Sequence, residues 1–292
     1  MKILMINDTI VINNLYRSGL KSLLKKEFSK VYCCGLFDKK QGLFFAFFKI
    51  LQPNVATISS NLKSNIFTLF FFWKRGCVIL NGIGRYRSSK TLRIILFSLF
   101  RLNWKKIIII QSYADYRYFK RYSSKKYFWI PGSGGNYKKS GPKGNLLLVQ
   151  RDDKIKMISQ SAFKLLKTIQ DSRIFIVGCH DHKMVKELFQ DYKVNLVGYQ
   201  RSEDIFLKGG GFIQPSGYGE GFPHTLADAI VSGLDVYIDS KEFVRYGLGR
   251  LGGGKQEISN NWYRLKGLKK IATNINSEHI VYSYMTIIKH HM

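Results

Sequence analysis

Short apolar runs rich in β-branched residues alternate with longer stretches of helical periodicity along this chain of 292 residues. The runs of a first series are residues 2–8, 30–37, 78–82, 106–112 and 127–132. The runs of a second series are residues 145–150, 173–178, 194–199, 210–216 and 235–240. Apolar strands separated by helices are typical of parallel sheets covered on both faces. The pattern therefore predicts an α/β protein with two doubly wound, Rossmann-like domains.

The helical stretches and a turn-rich segment set the domain limits that we expect. The apolar face predicted for a helix at 15–28 consists of Leu15, Gly19, Leu20, Leu23 and Leu24. A second helix is predicted at 158–170, and the glycine- and proline-containing residues 131–145 are typical of a linker. We expect a first domain at 1–135, a second at 141–275, and a last segment at 276–292 whose return to the first domain is left open.

The charge of the chain is strongly unbalanced, with 47 Lys and Arg against 19 Asp and Glu and a formal net charge of +28. Such an excess implies an anionic partner, which is a nucleic acid, an acidic membrane surface or a phosphate-rich substrate. A hydrophobic fraction of 45% supports packed cores and excludes a disordered chain. The four cysteines form no C-x-x-C pair, which favours a reduced, cytoplasmic setting. The N-terminal residues are typical of a buried strand rather than a signal peptide.

Three apolar segments with flanking basic residues lie in the first half of the chain. They are residues 42–53, 65–76 and 91–104, and each is shorter than the ~18–20 residues that span a bilayer. One interpretation is that they are buried helices of a core. The other is that they form an apolar, basic face that rests on an anionic membrane surface.

The stretch "GYGEGFPHTLADAIVSG" at 217–233 is the densest candidate site. A glycine-rich loop that enters a helix exposes N–H groups beside the positive end of the helix dipole, where phosphate binds readily. Pro223 suits the first helical turn, and Gly233 suits the helix end. Because Glu220 and Asp228 are separated by about two helical turns, we expect both carboxylates near one face at the strand ends.

These residues carry a family resemblance. The block "PSGYGEGFPHTLADAIVSGLDVYI" resembles the acidic signature of family 4 glycosyltransferases, which are retaining enzymes of the GT-B fold. The segment "LLLVQRDDKIKMISQSAFKLL" at 146–166 resembles the strand, the Arg–Lys pair and the helix of that family. In the first half, "ILNGIGR", "IIIIQSYAD" and "IPGSGG" resemble a subgroup that builds bacterial surface polysaccharides. Asp228 stands where the family usually has Glu, and Gln150 stands where it has Gly.

The resemblance implies two domains facing a cleft and a retaining glycosyltransferase. The enzyme would move a hexose or N-acetylhexosamine from a nucleotide diphosphate sugar, with UDP as the expected nucleotide. The acceptor would be a lipid-linked oligosaccharide or a surface polysaccharide such as O-antigen or capsule. The first domain would serve the acceptor and the second the donor. We expect a peripheral protein on the inner face of the bacterial inner membrane.

The resemblance also assigns the candidate residues. Glu220, Arg151 and Lys156 would be catalytic, the two cations at the diphosphate and Glu220 at the sugar hydroxyls. The other donor-binding candidates are Gly221, Phe222, Pro223, His224, Thr225, Leu226, Asp228, Gly198, Tyr199, Ser216 and Gly19. Within this set Asp228 would hold the ribose hydroxyls, Gly198 and Tyr199 would border the base, and Gly19 would open a loop above the phosphates. Asn81 and Gly82 would border the acceptor.

No cofactor or metal is expected. His180, Asp181 and His182 are too close in sequence to converge easily on one ion, and no Asp-x-Asp pair of the metal-dependent type is evident. Two rival classes stay open. One is a non-catalytic relative that binds sugar nucleotides or acts as a scaffold, and the other is a basic nucleic-acid-binding protein. The absence of zinc-finger or RNP motifs is the reason to expect no nucleic-acid partner.

Overall fold

The computed structural model describes residues 1–86, 89–121, 127–169, 172–217 and 219–292, without the side chains of Arg85, Ser159 and Ser202. Two compact units divide the chain. The first unit consists of residues Met1–Ser133, Glu220–Phe222 and Ser277–Met292. The second unit consists of residues Gly134–Gly219 and Pro223–Asn276.

The first unit alternates strands and helices. Its strands are β1 (Lys2–Asn7), β2 (Lys30–Gly35), β3 (Val55–Ser60), β4 (Gly76–Leu80), β5 (Lys106–Ile110) and β6 (Tyr127–Trp129). Its first helices are α1 (Ile10–Tyr16), α2 (Ser18–Glu27), α3 (Leu43–Leu51), α4 (Leu62–Leu69), α5 (Lys90–Leu102) and α6 (Tyr113–Lys120). Ser89 and Ser112 start α5 and α6, since each side chain accepts a hydrogen bond from a first-turn N–H. The described strands form one parallel sheet in the order β2-β1-β3-β4-β5-β6.

The second unit begins with the same alternation. Its strands are β7 (Asn145–Val149), β8 (Arg173–Val177), β9 (Val194–Gly198), β10 (Gly211–Gln214), β11 (Asp235–Asp239), β12 (Gly254–Ser259) and β13 (Trp262–Lys266). Its helices are α7 (Asp152–Leu166), α8 (His182–Leu188), α9 (Ser202–Phe206), α10 (His224–Val231), α11 (Ser240–Arg245) and α12 (Leu268–Ile275). The sheet order is β12-β13-β11-β10-β7-β8-β9 among the described residues. The pairs β11–β13 and β12–β13 are antiparallel, and the other pairs are parallel.

Apolar side chains cover both faces of the first sheet. Along β1, Ile3 and Met5 face one cluster and Leu4 and Ile6 face another, as the period of two in a strand requires. The first cluster also contains residues of α2 and of the last helix, α13 (Ser277–His291). The segment 277–291 is therefore part of the core of the first unit.

Several expectations differ from the structure. The helix expected at 15–28 is two helices, α1 and α2, and Leu15 is exposed. Strand β3 and the hairpin β12–β13 were not expected. The helix expected at 158–170 starts at Asp152 and ends at Leu166, and Gln170 lies outside the described residues.

The three apolar segments are only partly buried. Within α3, Ala46 and Ile50 are fully buried, but Phe44 is 79% exposed and Phe48 is 64% exposed. Core helices that are apolar on all sides do not leave such rings in solvent. In the part of the chain that the structure describes, no helix combines the length and apolar composition needed to cross a bilayer.

Candidate functional site

Polar side chains follow the strands of the first sheet at its carboxyl edge. Asn7 and Ser60 end β1 and β3, while Asn81 and Gln111 follow β4 and β5. The Asn7 Nδ2 donates to Ser60 Oγ at 2.7 Å. Ligands of parallel α/β sheets bind beyond the carboxyl ends of the strands. This edge is therefore a candidate binding surface of the first unit.

Arg17, which links α1 to α2, is a buried cation at this edge. Its side chain is only 4% exposed, its Nη2 donates to Asn81 Oδ1 at 3.1 Å, and its Cζ lies 5.1 Å from the centroid of the Tyr284 ring. It forms no ion pair with a carboxylate of the described residues. Burial of an ion is unfavourable by several kcal/mol, whereas a desolvated cation–π contact returns about 2 kcal/mol.

Hydrogen bonds fix the neighbours of Arg17. The Asn81 Nδ2 donates to Asn61 Oδ1 at 2.6 Å, so both the oxygen and the nitrogen of the Asn81 side-chain amide are hydrogen-bonded. The Tyr284 Oη accepts a hydrogen bond from Gln111 Nε2 at 3.0 Å and donates to the Gly132 carbonyl at 2.8 Å. Burial raises the pKa of Tyr284, which keeps its hydroxyl protonated.

The tripeptide Glu220–Phe222 belongs to the first unit and packs directly on this edge. A Cβ on Gly221 would lie 2.6 Å from the carbonyl carbon of Asn81 and closer still to its oxygen. A Cβ on Gly82, which has a φ of +131°, would lie 2.5 Å from Gly221 N. Only glycine permits so close a backbone approach. The structure therefore brings Asn81, Gly82 and Gly221 together, with half-buried Glu220 adjoining them and buried Phe222 against Gly132.

In the second unit, Arg151 precedes the first residue of α7 and Lys156 lies in its second turn. The side chain of Arg151 is 66% exposed, and its Nε lies 3.2 Å from Asp153 Oδ1. Lys156 is also exposed. Burial lowers the pKa of the neighbouring Lys154 to about 8, and the charge of Arg151 adds to the shift. The start of α7 thus concentrates three cations beside the positive end of a helix dipole.

Asp152 ties the start of α7 to the segment after β8. Its carboxylate accepts hydrogen bonds from the backbone N–H groups of His180 at 2.9 Å and Asp181 at 3.1 Å. Desolvation opposes ionisation, but these hydrogen bonds outweigh it and lower the pKa of Asp152. The imidazole of His180 in turn stacks on the ring of Tyr199, with 6.2 Å between the ring centroids and an angle of 11°. Tyr199 is 73% exposed and follows Gly198, which has a φ of +71°.

Helix α10 starts at His224 with Pro223 as its N-cap residue. Asp228 is 1% exposed, and its Oδ1 accepts a hydrogen bond from Asn136 N at 2.7 Å. Its Oδ2 lies 3.7 Å from His224 Nε2. Burial raises the pKa of Asp228, while His224 and the Asn136 N–H oppose that shift. Thr225 is half-buried, and Leu226 is fully buried, so Leu226 offers a ligand only its backbone.

Ser216 lies at a small polar cavity of about 200 Å³ in the second unit. Its N–H donates to Ser161 Oγ at 3.3 Å, and Ser161 Oγ donates to Asp239 Oδ2 at 2.7 Å. Lys164 and Lys241 also line this cavity. Its walls are therefore suited to hydroxyl or anionic groups.

Two geometric expectations were wrong. Gly19 does not open a loop, because it is the second residue of α2, and a Cβ on it would meet Val281 at 3.0 Å. Glu220 and Asp228 do not share a helix face, because Glu220 precedes the helix and the helix begins only at His224. The separation of eight residues was counted as helix, although Pro223 has an extended ψ of 134°.

Sequence reasoning missed Arg17 and Asp152. An arginine between two helical stretches has the pattern of a solvated surface residue, and nothing local distinguishes it. Asp152 had a signal, since an acidic residue in the first turn of a helix after a parallel strand is suited to bind neighbouring backbone N–H groups. Among the residues that the structure describes, no three His, Cys, Asp or Glu side chains gather as the ligands of one metal ion would.

The two units, one with a parallel sheet and the other with a mostly parallel sheet, have the architecture of a GT-B-like fold. The chain is similar to Anabaena HepE in complex with UDP-glucose, with 14% identity and a TM-score of 0.65 over 99% of this chain and 100% of that chain. It is similar to a chain of the GtfA/B complex, with 16% identity and a TM-score of 0.55 over 85% of this chain, and it spans 59% of that chain's length. It is also similar to UDP-GlcNAc 2-epimerase from Methanocaldococcus jannaschii, with 11% identity and a TM-score of 0.52 over 99% of this chain and 100% of that chain.

No protein-family model and no curated protein sequence matches the chain. At identities of 11–16%, the structural similarity shows the fold alone.

Proposed function

We propose that this protein is a retaining glycosyltransferase that uses a nucleotide diphosphate sugar, with UDP as the nucleotide. The sugar is a hexose or N-acetylhexosamine, and the acceptor is a lipid-linked oligosaccharide or a surface polysaccharide. The similarity to HepE, whose structure holds UDP-glucose, supports this choice of ligand class.

The observation that carries the proposal is the buried carboxylate of Asp228 in the second turn of α10, a helix entered by a glycine-rich segment. Burial raises the pKa of Asp228, so the folded state holds this carboxylate unfavourably. Strained or desolvated ionisable groups are concentrated at functional sites. A carboxylate is suited to accept hydrogen bonds from two vicinal ribose hydroxyls.

The proposed chemistry breaks the bond between the anomeric carbon of the sugar and a phosphate oxygen. A new bond forms to an acceptor hydroxyl, whose proton passes to the departing phosphate. Arg151 and Lys156 stabilise the negative charge that develops on the diphosphate. Glu220 accepts hydrogen bonds from sugar hydroxyls, and the backbone around Gly221 approaches the sugar. No step in this scheme uses a metal ion.

Calorimetric titration with UDP tests the donor site. Arg151→Ala and Lys156→Ala are each expected to weaken UDP binding roughly tenfold to a hundredfold, because a charge-assisted hydrogen bond contributes about 1.5–3 kcal/mol. Arg173→Ala is the matched control, since Arg173 is an exposed arginine at the opposite end of a strand in the same unit. Unchanged affinity in both test variants would remove these residues from the site.

Turnover of a panel of nucleotide sugars tests the reaction. Wild type is expected to release UDP and transfer the sugar with its anomeric configuration kept, as NMR of the product reports, and Glu220→Gln is expected to lose most of this activity. Isomerised UDP-sugar would identify an epimerase instead. Binding without turnover would identify a non-catalytic relative, and salt-sensitive binding to duplex DNA alone would identify a nucleic-acid-binding protein. Activity that is lost with chelator and restored by a divalent ion would refute the metal-free scheme.

An exposed aromatic surface supports the lipid-linked acceptor. On the segment that follows α4, Phe70 and Phe72 are more than half exposed. This segment adjoins α3 because the ring centroid of Phe71 lies 5.9 Å from that of Phe47. Within the segment, Phe71 also contacts Trp73, with 5.7 Å between the centroids. Basic side chains flank the rings, as an anionic bilayer surface requires.

Sedimentation with vesicles tests the membrane association. Binding is expected to need anionic lipid and to fall in high salt, because the Debye length shortens. The double variant Phe44→Ser/Phe48→Ser is expected to weaken binding more than Tyr282→Ser, which changes an exposed ring on α13. Lys and Arg changes to Gln within 74–106 are expected to weaken it more than equal numbers within 241–270. Protein that stays in the supernatant at low salt would refute the membrane proposal.

A further inference from the structure

We propose that Arg17 is the centre of a phosphoryl-binding site in the first unit, distinct from the diphosphate-binding residues proposed at the start of α7. Binding of a phosphoryl group by this unit depends neither on the proposed transfer reaction nor on the identity of the sugar.

The guanidinium of Arg17 forms no ion pair with any carboxylate of the described residues. Arg245, the other deeply buried arginine of the described residues, has the carboxylate of Glu242 at 3.9 Å. Arg17 is buried more deeply, and its described contacts are neutral, namely the Asn81 amide oxygen and Tyr284. A desolvated guanidinium without a counterion is expected where a ligand supplies the negative charge.

The geometry of the site favours an anion with several oxygens. The guanidinium carries five N–H groups in a planar fork, and Asn81 Oδ1 accepts from one end of it. The ring of Tyr284 packs against the cation and holds its orientation. A planar fork with free donors matches phosphoryl oxygens, which it binds bidentately.

The position in the fold is that of a ligand site. Asn81 follows β4 at the carboxyl edge of a parallel sheet, where ligands of such sheets bind. The same residue is held by Asn61 and lies under the backbone of Gly221. A ligand phosphate at Arg17 would therefore adjoin the segment that carries Glu220.

Calorimetry with inorganic pyrophosphate tests the site in the full chain carrying Arg151→Ala/Lys156→Ala, so that the proposed donor residues do not contribute. In this background Arg17→Met is expected to lower the affinity at least tenfold, and Arg17→Lys is expected to lower it less. Arg75→Met is the control, because Arg75 is an exposed arginine of the same unit just before β4, and its affinity is expected to stay within twofold. Pyrophosphate affinity that is equal in Arg17→Met and the parent would overturn the proposal.

A thermal scan separates a binding role from a structural one. Without ligand, Arg17→Met is expected to melt at the parent temperature or above it, since an unpaired buried charge has been removed. Pyrophosphate is expected to raise the melting temperature of the parent and not that of Arg17→Met. A lower melting temperature of the ligand-free variant, together with an unchanged pyrophosphate shift, would show that Arg17 is structural and overturn the proposal.

Two further probes identify the source of the phosphoryl group. If Arg17→Met lowers the affinity for UDP tenfold but leaves the affinity for farnesyl diphosphate unchanged, the site belongs to the nucleotide donor. The reverse would assign it to a lipid-linked acceptor. Stabilisation by malonate equal to that by pyrophosphate at the same ionic strength would overturn the assignment to phosphoryl groups. Failure of sugar transfer with retained Arg17-dependent pyrophosphate binding would refute the proposed function alone.

Discussion

Gly221→Ala is the change that most directly tests the packing beneath Glu220. The added Cβ would lie 2.6 Å from the Asn81 carbonyl carbon and 3.2 Å from Gln111 Cβ, whereas real side chains essentially never come within 3.0 Å. The carbonyl carbon and oxygen of Asn81 that this Cβ would meet are backbone atoms. The segment that carries Gly221 must therefore itself move, by about 1 Å. Overpacking of this kind destabilises by about 1–3 kcal/mol, and a displacement of 1 Å near reacting groups lowers rates about 100-fold.

The assay measures both quantities on the same samples. The melting temperature of Gly221→Ala is expected to fall by several degrees, and its kcat for sugar transfer is expected to fall about 100-fold. Gly144→Ala is the matched control, because a Cβ there meets nothing within 4 Å and its φ is not in the left-handed region. Wild-type stability and kcat in Gly221→Ala would refute the close approach of Gly221 to Asn81.

Three other predictions concern titratable groups. Burial raises the pKa of Asp228 in the folded state above its unfolded pKa of about 3.8. The folded state therefore loses stability as the pH rises from the unfolded pKa through the folded pKa. The melting temperature of Asp228→Asn is expected to rise relative to that of wild type between pH 4 and 7. Burial raises the pKa of Cys34 to about 12, and Cys77 is fully buried, whereas Cys33 is partly exposed. A thiol reagent at pH 8 is therefore expected to label Cys33 well before Cys34 or Cys77. With its pKa lowered to about 8, the Lys154 amine is expected to acetylate at pH 8 faster than exposed lysines, as peptide mass spectrometry reports.

Each of these has a clear contrary result. A constant difference between Asp228→Asn and wild type across pH 4 to 7 would contradict the raised pKa. Rapid labelling of Cys77 in the folded protein would contradict its burial. Acetylation of Lys154 at the rate of other lysines would contradict its lowered pKa.

The strands were predictable where the sequence is apolar throughout. Runs such as 106–112 have no alternative to burial on both faces, and the expected ends lie within two residues of β5 (Lys106–Ile110). Strand β3 is fully buried too, but its threonine and serines interrupt the apolar pattern of "VATISS", and the strand was not predicted. The hairpin β12–β13 had a signal in its Asn260–Asn261 turn, where Asn261 has a φ of +68°, yet the flanking residues are mostly polar.

The candidate site was predictable only as far as local sequence determines it. The start of a helix near Pro223 follows from glycine and proline chemistry. The buried state of Arg17 depends on Asn81 and Tyr284, which are 64 and 267 positions away in the chain. Periodicity within a short window contains no information about such partners.

The place of α13 in the core of the first unit has a consequence for synthesis of the chain. Leu20 and Leu24 on α2 share a cluster with Ile280, Tyr284 and Ile288 on α13. On the ribosome these last residues emerge only after every residue of the second unit. The first unit therefore cannot complete its core in the order of translation, and its apolar α2 face stays uncovered while the second unit is made. Nascent chains of this kind depend on folding after synthesis of residues 277–291, and they are prone to aggregation until then.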